Sequence, residues 1–266
     1  MIPDYKELNR QSWNKRTLHH LQSEFYDLPG FMSGKTSLKE IELDLLGDIS
    51  GKSILHLQCH FGQDTLSLAR MGAHVTGVDL SDEAIRQAQQ LARDCKLEGR
   101  FICCDIYDLP QHLEEQFDIV FTSYGTIGWL PDMDRWADIV SRYLKPGGNF
   151  IFAEFHPVVW MFDDTFRQVS YDYFNTVAIV EEESGTYAQR DAPIKGTYVC
   201  WNHNMAEVLQ SLISKGLQLE LFREYDYAPY NVFRNMREAE PGRYRLNYPD
   251  KLIPLVYALK ATKVSL

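Results

Sequence analysis

The sequence predicts an α/β fold: a doubly wound, mostly parallel seven-stranded sheet with helices on both faces. Three observations carry this expectation. From Lys52 to Glu154, short apolar runs alternate with segments of helical spacing, the pattern of successive β-α-β units. The ends of those apolar runs carry acids or a tight loop feeding a helix. The chain has 266 residues, 45% of them hydrophobic, enough for one large domain with an insertion.

In chain order, residues 5–26 predict a helix with Trp13, Leu18, Leu21 and Phe25 as its apolar positions, broken by Leu28-Pro29-Gly30. This segment is expected to cap the sheet edge. Strands follow at 53–57, 74–79, 100–104, 117–122 and 149–154. Between them, 64–71 and 81–95 have apolar residues at helical spacing; Ser81 suits an N-cap, with Asp82 and Glu83 in the first turn. A third helix at 133–144 is closed by Lys145-Pro146-Gly147-Gly148, a stop signal before the next strand.

Residues 157–198 are rich in aromatics and end in apparent strands at 176–181 and 196–200; they are expected to be an insertion. The core resumes with a helix at 205–214, stopped by Lys215-Gly216, and strands at 217–225 and 254–262. The expected organisation is one domain over 1–266. It has an N-terminal helical cap (1–36), a core (37–157 and 202–266) and an aromatic-rich β insertion after the fifth strand (158–201).

The formal charge of −10 opposes broad contact with a phosphate backbone, so a nucleic-acid partner is not expected. The densest basic stretches, Lys15-Arg16 and 234–245, are short and mixed with acids, and are expected to be solvated surface. Five cysteines, an odd number without paired CxxC spacing, imply reduced thiols and no zinc site. Met1-Ile2-Pro3-Asp4-Tyr5-Lys6-Glu7 lacks a signal layout and no run is long enough to span a bilayer, so a cytoplasmic protein without a membrane partner is expected.

Ligands of an open parallel sheet bind beyond the carboxyl ends of its strands, where strand order reverses. The first strand ends in Leu57-Gln58-Cys59-His60-Phe61-Gly62-Gln63-Asp64, a tight loop into a helix whose N–H groups favour an anionic group. The second ends in Asp79-Leu80, where a carboxylate can accept from two ribose hydroxyls. The third ends in Cys104-Asp105-Ile106, where a carboxylate can accept from an adenine amino group.

With Phe117-Asp118-Ile119-Val120 and Leu144-Lys145-Pro146-Gly147-Gly148, these segments make five ordered motifs over roughly half the chain. The set resembles the class I S-adenosylmethionine-dependent methyltransferases, whose Rossmann-like sheet ends in a helix and two antiparallel-paired strands. The resemblance implies S-adenosylmethionine as cofactor. Gln58, Cys59, His60, Gly62 and Asp64 would lie around its methionine part, Asp79 and Leu80 at the ribose, and Asp105 and Ile106 at the adenine. Ser123 and Tyr124 would face methyl donor and acceptor. The first motif departs from the family pattern: His56 stands where an acid is usual, and Gln58 and His60 replace two of three glycines. Larger side chains there crowd the backbone's approach to a ligand.

Other residues keep two readings. His60 either caps its loop or contacts the cofactor, and His56 is expected to be a hydrogen-bonded histidine inside the sheet. His156, after the fifth strand, is a candidate catalytic base beside Tyr124 or a structural histidine before a Pro turn. Glu154 is open in the same way. Trp129, Trp160, Phe162, Phe166, Tyr171, Tyr173 and Phe174 form either an acceptor pocket or the core of a cap or homodimer interface. Trp13, Arg16, His19, His20 and Tyr26 are candidates for a lid over the cofactor.

The implied function is methyl transfer to a small-molecule acceptor by in-line displacement, giving S-adenosylhomocysteine. A non-catalytic module that binds the cofactor is the alternative. A nucleotide-dependent oxidoreductase fits less well, because the first loop is not G-x-G-x-x-G. Phe121-Thr122-Ser123-Tyr124 also lacks the two prolines of amino-methylating nucleic-acid enzymes.

Overall fold

The computed structural model describes residues 4–247 and 251–264. Its seven-stranded sheet is built from β1 (Ser53–Leu57), β2 (His74–Asp79), β3 (Arg100–Cys103), β4 (Phe117–Ser123), β5 (Leu144–Phe155), β8 (Leu217–Tyr225) and β11 (Val256–Lys263). Their order is β3-β2-β1-β4-β5-β11-β8. The first five are mutually parallel, and β11 runs antiparallel between β5 and β8. Strand order therefore reverses between β1 and β4, and the crevice opens there.

Helices form where the apolar period supports them. In α5 (Asp82–Cys95), Ser81 Oγ accepts the Ala84 N–H at 3.0 Å, and Ala84, Ile85, Ala88, Leu91 and Ala92 make one buried stripe. In α6 (Met133–Tyr143), Asp132 caps the first turn, and Trp136, Ile139, Val140 and Tyr143 pack on one face of the sheet with α7 (Met205–Ser214). The opposite face takes α4 (Gln63–Arg70) and α3 (Glu40–Leu46), whose Ile41, Leu45 and Leu46 are buried.

Several elements depart from expectation. The predicted stop at Lys145-Pro146-Gly147-Gly148 lies inside β5, which begins at Leu144 and skips register against β4 between Phe117 and Ile119. Gly147, at φ 75°, accommodates the irregularity, and Lys145 Nζ meets Asp118 Oδ1 at 2.9 Å. The predicted helix 5–26 stops early: α1 is Tyr5–His20, and Leu28-Pro29-Gly30 opens α2 (Leu28–Met32) rather than breaking a helix. Asp27 caps α2 by accepting the Gly30 N–H, and Pro29 sits in the first turn, where its missing N–H costs nothing.

The buried face of α1 is Asn9, Ser12, Arg16, Thr17 and His20, while Leu18 is 49% exposed. It covers a cleft, so its polar face turns inward. The aromatic-rich segment after β5 contains an antiparallel pair, β6 (Ile179–Ser184) with β7 (Lys195–Cys200), its first strand three residues later than predicted. The mixed-charge stretch near 240 folds as a hairpin, β9 (Met236–Glu240) with β10 (Arg243–Leu246). It is held to its surroundings by Arg243 on Glu40 and Arg245 on Asp226. Among the described residues, no helix is long and apolar enough to cross a membrane.

Candidate functional site

A cavity of about 860 Å³ lies at the carboxyl ends of β1 to β5. Its floor is the loop after β1, and α1 and the β6–β7 pair roof it. The roof is fastened by Asn9, whose Nδ2 donates to Val199 O and whose Oδ1 accepts the Val199 N–H, both at 2.8 Å, so one side chain pairs like a strand.

In the floor, Gln58, His60 and Gly62 have φ of 56°, 51° and 80°. Two side-chain residues hold a conformation suited to glycine, at a cost of about 1–3 kcal/mol each. The surroundings offset this. Gln58 Nε2 donates to Thr126 O at 2.8 Å, the His60 N–H to Asp79 Oδ2 at 2.8 Å, and the Cys59 N–H to Val78 O at 2.9 Å. Gln58 Oε1 and His60 Nδ1 remain buried without a partner. Such atoms in a lined cavity are binding capacity, because burying them unpaired otherwise costs stability.

Asp79 accepts both the His60 N–H and, through Oδ1, the Ser81 N–H at 2.8 Å. Burial pushes its carboxyl up to about 6, against the pull of those donors. Asp105 accepts the Tyr107 N–H at 2.8 Å and lies 3.5 Å from Lys6 Nζ; burial raises it too. Leu80 and Ile106 line the cavity between these acids. Asp64, in the first turn of α4, approaches Ser123 Oγ at 3.4 Å. The Cys59 Sγ packs so close to Gly77 that a Cβ there would meet it at 2.8 Å, and burial keeps it a thiol.

At the end of β4, Tyr124 has φ 24° and its hydroxyl donates to Glu42 Oε2 at 2.8 Å. Glu42, on α3, is 1% exposed, and burial followed by the charge of Asp64 raises its carboxyl to about 7. Sequence reasoning missed Glu42 because it belongs to a seven-residue helix with no motif around it. Glu154 is structural: its carboxylate accepts the N–H groups of Gly125, Thr126, Ile127 and Phe155 and the Thr126 hydroxyl, clamping the turn after β4. His56 is hydrogen-bonded inside the sheet, 2.8 Å from Thr65 Oγ1, and burial lowers it to about 4, so it is neutral.

His156 requires a correction. It is absent from the cavity wall, and both ring nitrogens are engaged. Nδ1 accepts the Val158 N–H at 3.2 Å and Nε2 lies 2.8 Å from Glu224 Oε1. The chain turns back at Pro157 and carries the ring toward β8, away from Tyr124. Arg16 is also not solvated surface. Its guanidinium is buried over Trp13, Trp129 and Tyr198, at 5.2, 5.3 and 4.9 Å from the ring centres, and pairs with Glu183.

Trp13, Arg16 and Tyr26 line the cleft, whereas His19 does not and His20 lies behind, with Nδ1 2.8 Å from His60 Nε2. Of the aromatic cluster, Trp129, Trp160, Phe162, Phe166 and Tyr171 line the cavity; Tyr173 is outside it and Phe174 is 74% exposed. Phe25, an apolar position of the predicted helix, reaches the wall from the turn after α1; Tyr187, Tyr230 and Phe233 join it unforeseen, because they come from loops with no periodic signal. Among the described residues, no metal-ligand cluster occurs.

Residues 54–148 match a family model described as a methyltransferase domain. The chain is 30% identical over 135 residues to the ubiquinone biosynthesis O-methyltransferase of Alkalilimnicola ehrlichii, covering 49% of this chain and 54% of that protein. It thus spans about half the length of such O-methyltransferase relatives. A solved S-adenosylmethionine-dependent methyltransferase from Methanosarcina mazei superposes with a TM-score of 0.60 at 19% identity, covering 86% of this chain and 99% of that one. The magnesium protoporphyrin IX methyltransferase of Synechocystis PCC 6803, solved with bound SAH, gives 0.54 at 14% identity, covering 98% and 100%. At these identities the structural likeness is one of fold.

Proposed function

We propose that the chain, whose residues 54–148 match a methyltransferase domain, is a class I S-adenosylmethionine-dependent methyltransferase that methylates a small-molecule acceptor and releases S-adenosylhomocysteine. The observation that carries this reading is the floor of the crevice. A loop held at positive φ by Asp79 presents two unpartnered buried polar atoms, Gln58 Oε1 and His60 Nδ1, at the β1/β4 switch point.

The residues fit the cofactor's chemistry. Asp79, with Leu80 beside it, would hold the ribose hydroxyls, and Asp105 and Ile106 the adenine. Gln58, Cys59, His60, Gly62, Asp64 and Ser123 would surround the methionine end. When bound, S-adenosylmethionine supplies an electrophilic methyl group on a sulfonium. What the chain adds is position: the Glu154 clamp fixes the turn after β4, and α1 and the β6–β7 pair roof the cleft, so most of the rate comes from alignment. In this reading, segments 1–36 and 158–201 are covers of a single domain. The roofed cleft and the net charge of −10 favour a small acceptor over a nucleic acid. The O-methyltransferase relatives favour oxygen as the atom methylated.

Calorimetric titration with S-adenosylmethionine and S-adenosylhomocysteine, with NAD as control, tests the reading. Binding near the micromolar range that is lost in Asp79→Ala is expected. A folded protein that binds neither compound would refute it.

A further inference from the structure

Nothing in the positioning scheme above uses Glu42. It is a carboxylate at 1% exposure, facing the cleft, with no cation paired to it among the described residues. Its neighbours from the packed elements are Asp64 of α4, the Tyr124 hydroxyl after β4 and the Tyr230 ring; from its own side, the Lys39 N–H reaches Oε1 at 3.3 Å. Two acids and two phenols thus face one another. Burying such a carboxylate without a counter-charge costs stability.

Tyr124 supplies the link to the cleft. When Glu42 is ionised, the hydroxyl's one proton is given to Glu42 Oε2, so the lone pairs left on that oxygen accept. A group meeting Tyr124 from the cleft in that state arrives as a proton donor. The space in front of it is walled by rings: Tyr230 lies 5.4 Å from Tyr124 edge-on and 5.2 Å from Phe25, and Phe155 lies 5.0 Å from Phe233. These rings packed against one another give the cleft an aromatic wall on which a flat aromatic molecule can stack.

We propose that the methyl acceptor is a phenol and that Glu42, acting through Tyr124, takes the proton its hydroxyl loses; this rests on the methyltransferase reading above. A hydroxyl is favoured over an amine because an amine attacks with a free lone pair, whereas a neutral phenol needs its proton removed to attack well. The step balances. The donor's methyl C–S bond breaks and a C–O bond forms, leaving a neutral thioether. The acceptor's proton passes to Tyr124 Oη as the tyrosine's own proton passes to Glu42 Oε2. The carboxyl returns its proton to solvent when the product leaves. The near-neutral carboxyl described above matches such a task.

The test compares phenol with 4-nitrophenol, which is already largely ionised at about pH 8 and needs no base. Glu42→Gln is expected to slow methylation of phenol by about 10²–10⁴-fold, and that of 4-nitrophenol by less than about 5-fold. Tyr124→Phe should show the same selective loss. A readout independent of turnover is proton uptake when 4-nitrophenol binds the S-adenosylhomocysteine complex. Wild type should take up about one proton, because two anions cannot face each other there, and Glu42→Gln none. Equal slowing of both phenols, or equal proton uptake, would overturn the assignment and leave Glu42 a positioning residue. A wild type that binds S-adenosylhomocysteine but methylates neither phenol would also overturn it, while leaving the methyltransferase reading intact. Failure to bind S-adenosylhomocysteine would remove both.

Discussion

The backbone N–H of His60 donates to Asp79 Oδ2 at 2.8 Å, joining the loop after β1 to the end of β2. His60 has φ 51°, so the acid holds its neighbour in a conformation that glycine would adopt at no steric cost. The acid proposed to bind the ribose thus also shapes the floor, and a change at either residue reaches the other.

Glu42 makes the protein's stability depend on pH. Its folded value of about 7 lies above the ordinary value of 4.5, so its contribution is fully present below about pH 4.5 and lost as pH rises through 7. The isosteric Glu42→Gln variant removes that loss. Its melting temperature should exceed that of wild type near pH 8, by the equivalent of at most about 3 kcal/mol, and converge with it near pH 4. A difference that stays constant across this range would contradict the buried-carboxylate account.

Gly62→Ala should be damaging on two grounds. The residue sits at φ 80°, and an added Cβ would come within 2.9 Å of both the Ala88 Cβ and the Phe101 ring. Left-handed strain and overpacking together cost about 2–4 kcal/mol. The denaturant midpoint reports this directly; an unchanged midpoint would mean the loop relaxes elsewhere.

Asn9→Ala should loosen the roof without unfolding the core. Both Val199 backbone groups lose their partner, at a cost of about 1–3 kcal/mol. Hydrogen exchange should accelerate in α1 and β7, while β1, β4 and β5 keep their protection. Uniform acceleration throughout the sheet would show that the roof is not a separable unit.

His156→Asn should leave methyl transfer within about 3-fold of wild type, since the ring is outside the cleft and a general base is worth about 10²–10⁴-fold. Melting should fall, because the buried ring's bonds to Val158 and Glu224 are lost. A loss of turnover approaching 100-fold, with unchanged cofactor affinity, would restore it as a catalytic candidate.

The sequence by itself determined the alternation of strands and helices, the β1 loop, the acids at the ends of β2 and β3, and the helix-then-two-strands ending. These are local signals: periodicity, caps, and turn residues at strand ends act over a few neighbours and are written in order along the chain. Only the tertiary structure decided which side of a turn a residue faces. The His156 ring meets Val158 and Glu224 outside the cleft, while α3, seven residues long and without a distinguishing pattern, brings Glu42 to Tyr124 across 82 positions of sequence. The roof follows the same logic. Arg16 and His20 are legible as lid candidates, but Asn9 carries no local signal, and which face of α1 turns inward is set only where the helix covers a polar cleft instead of an apolar core. Contacts of that kind are set by how distant elements pack, and no short stretch of sequence carries them.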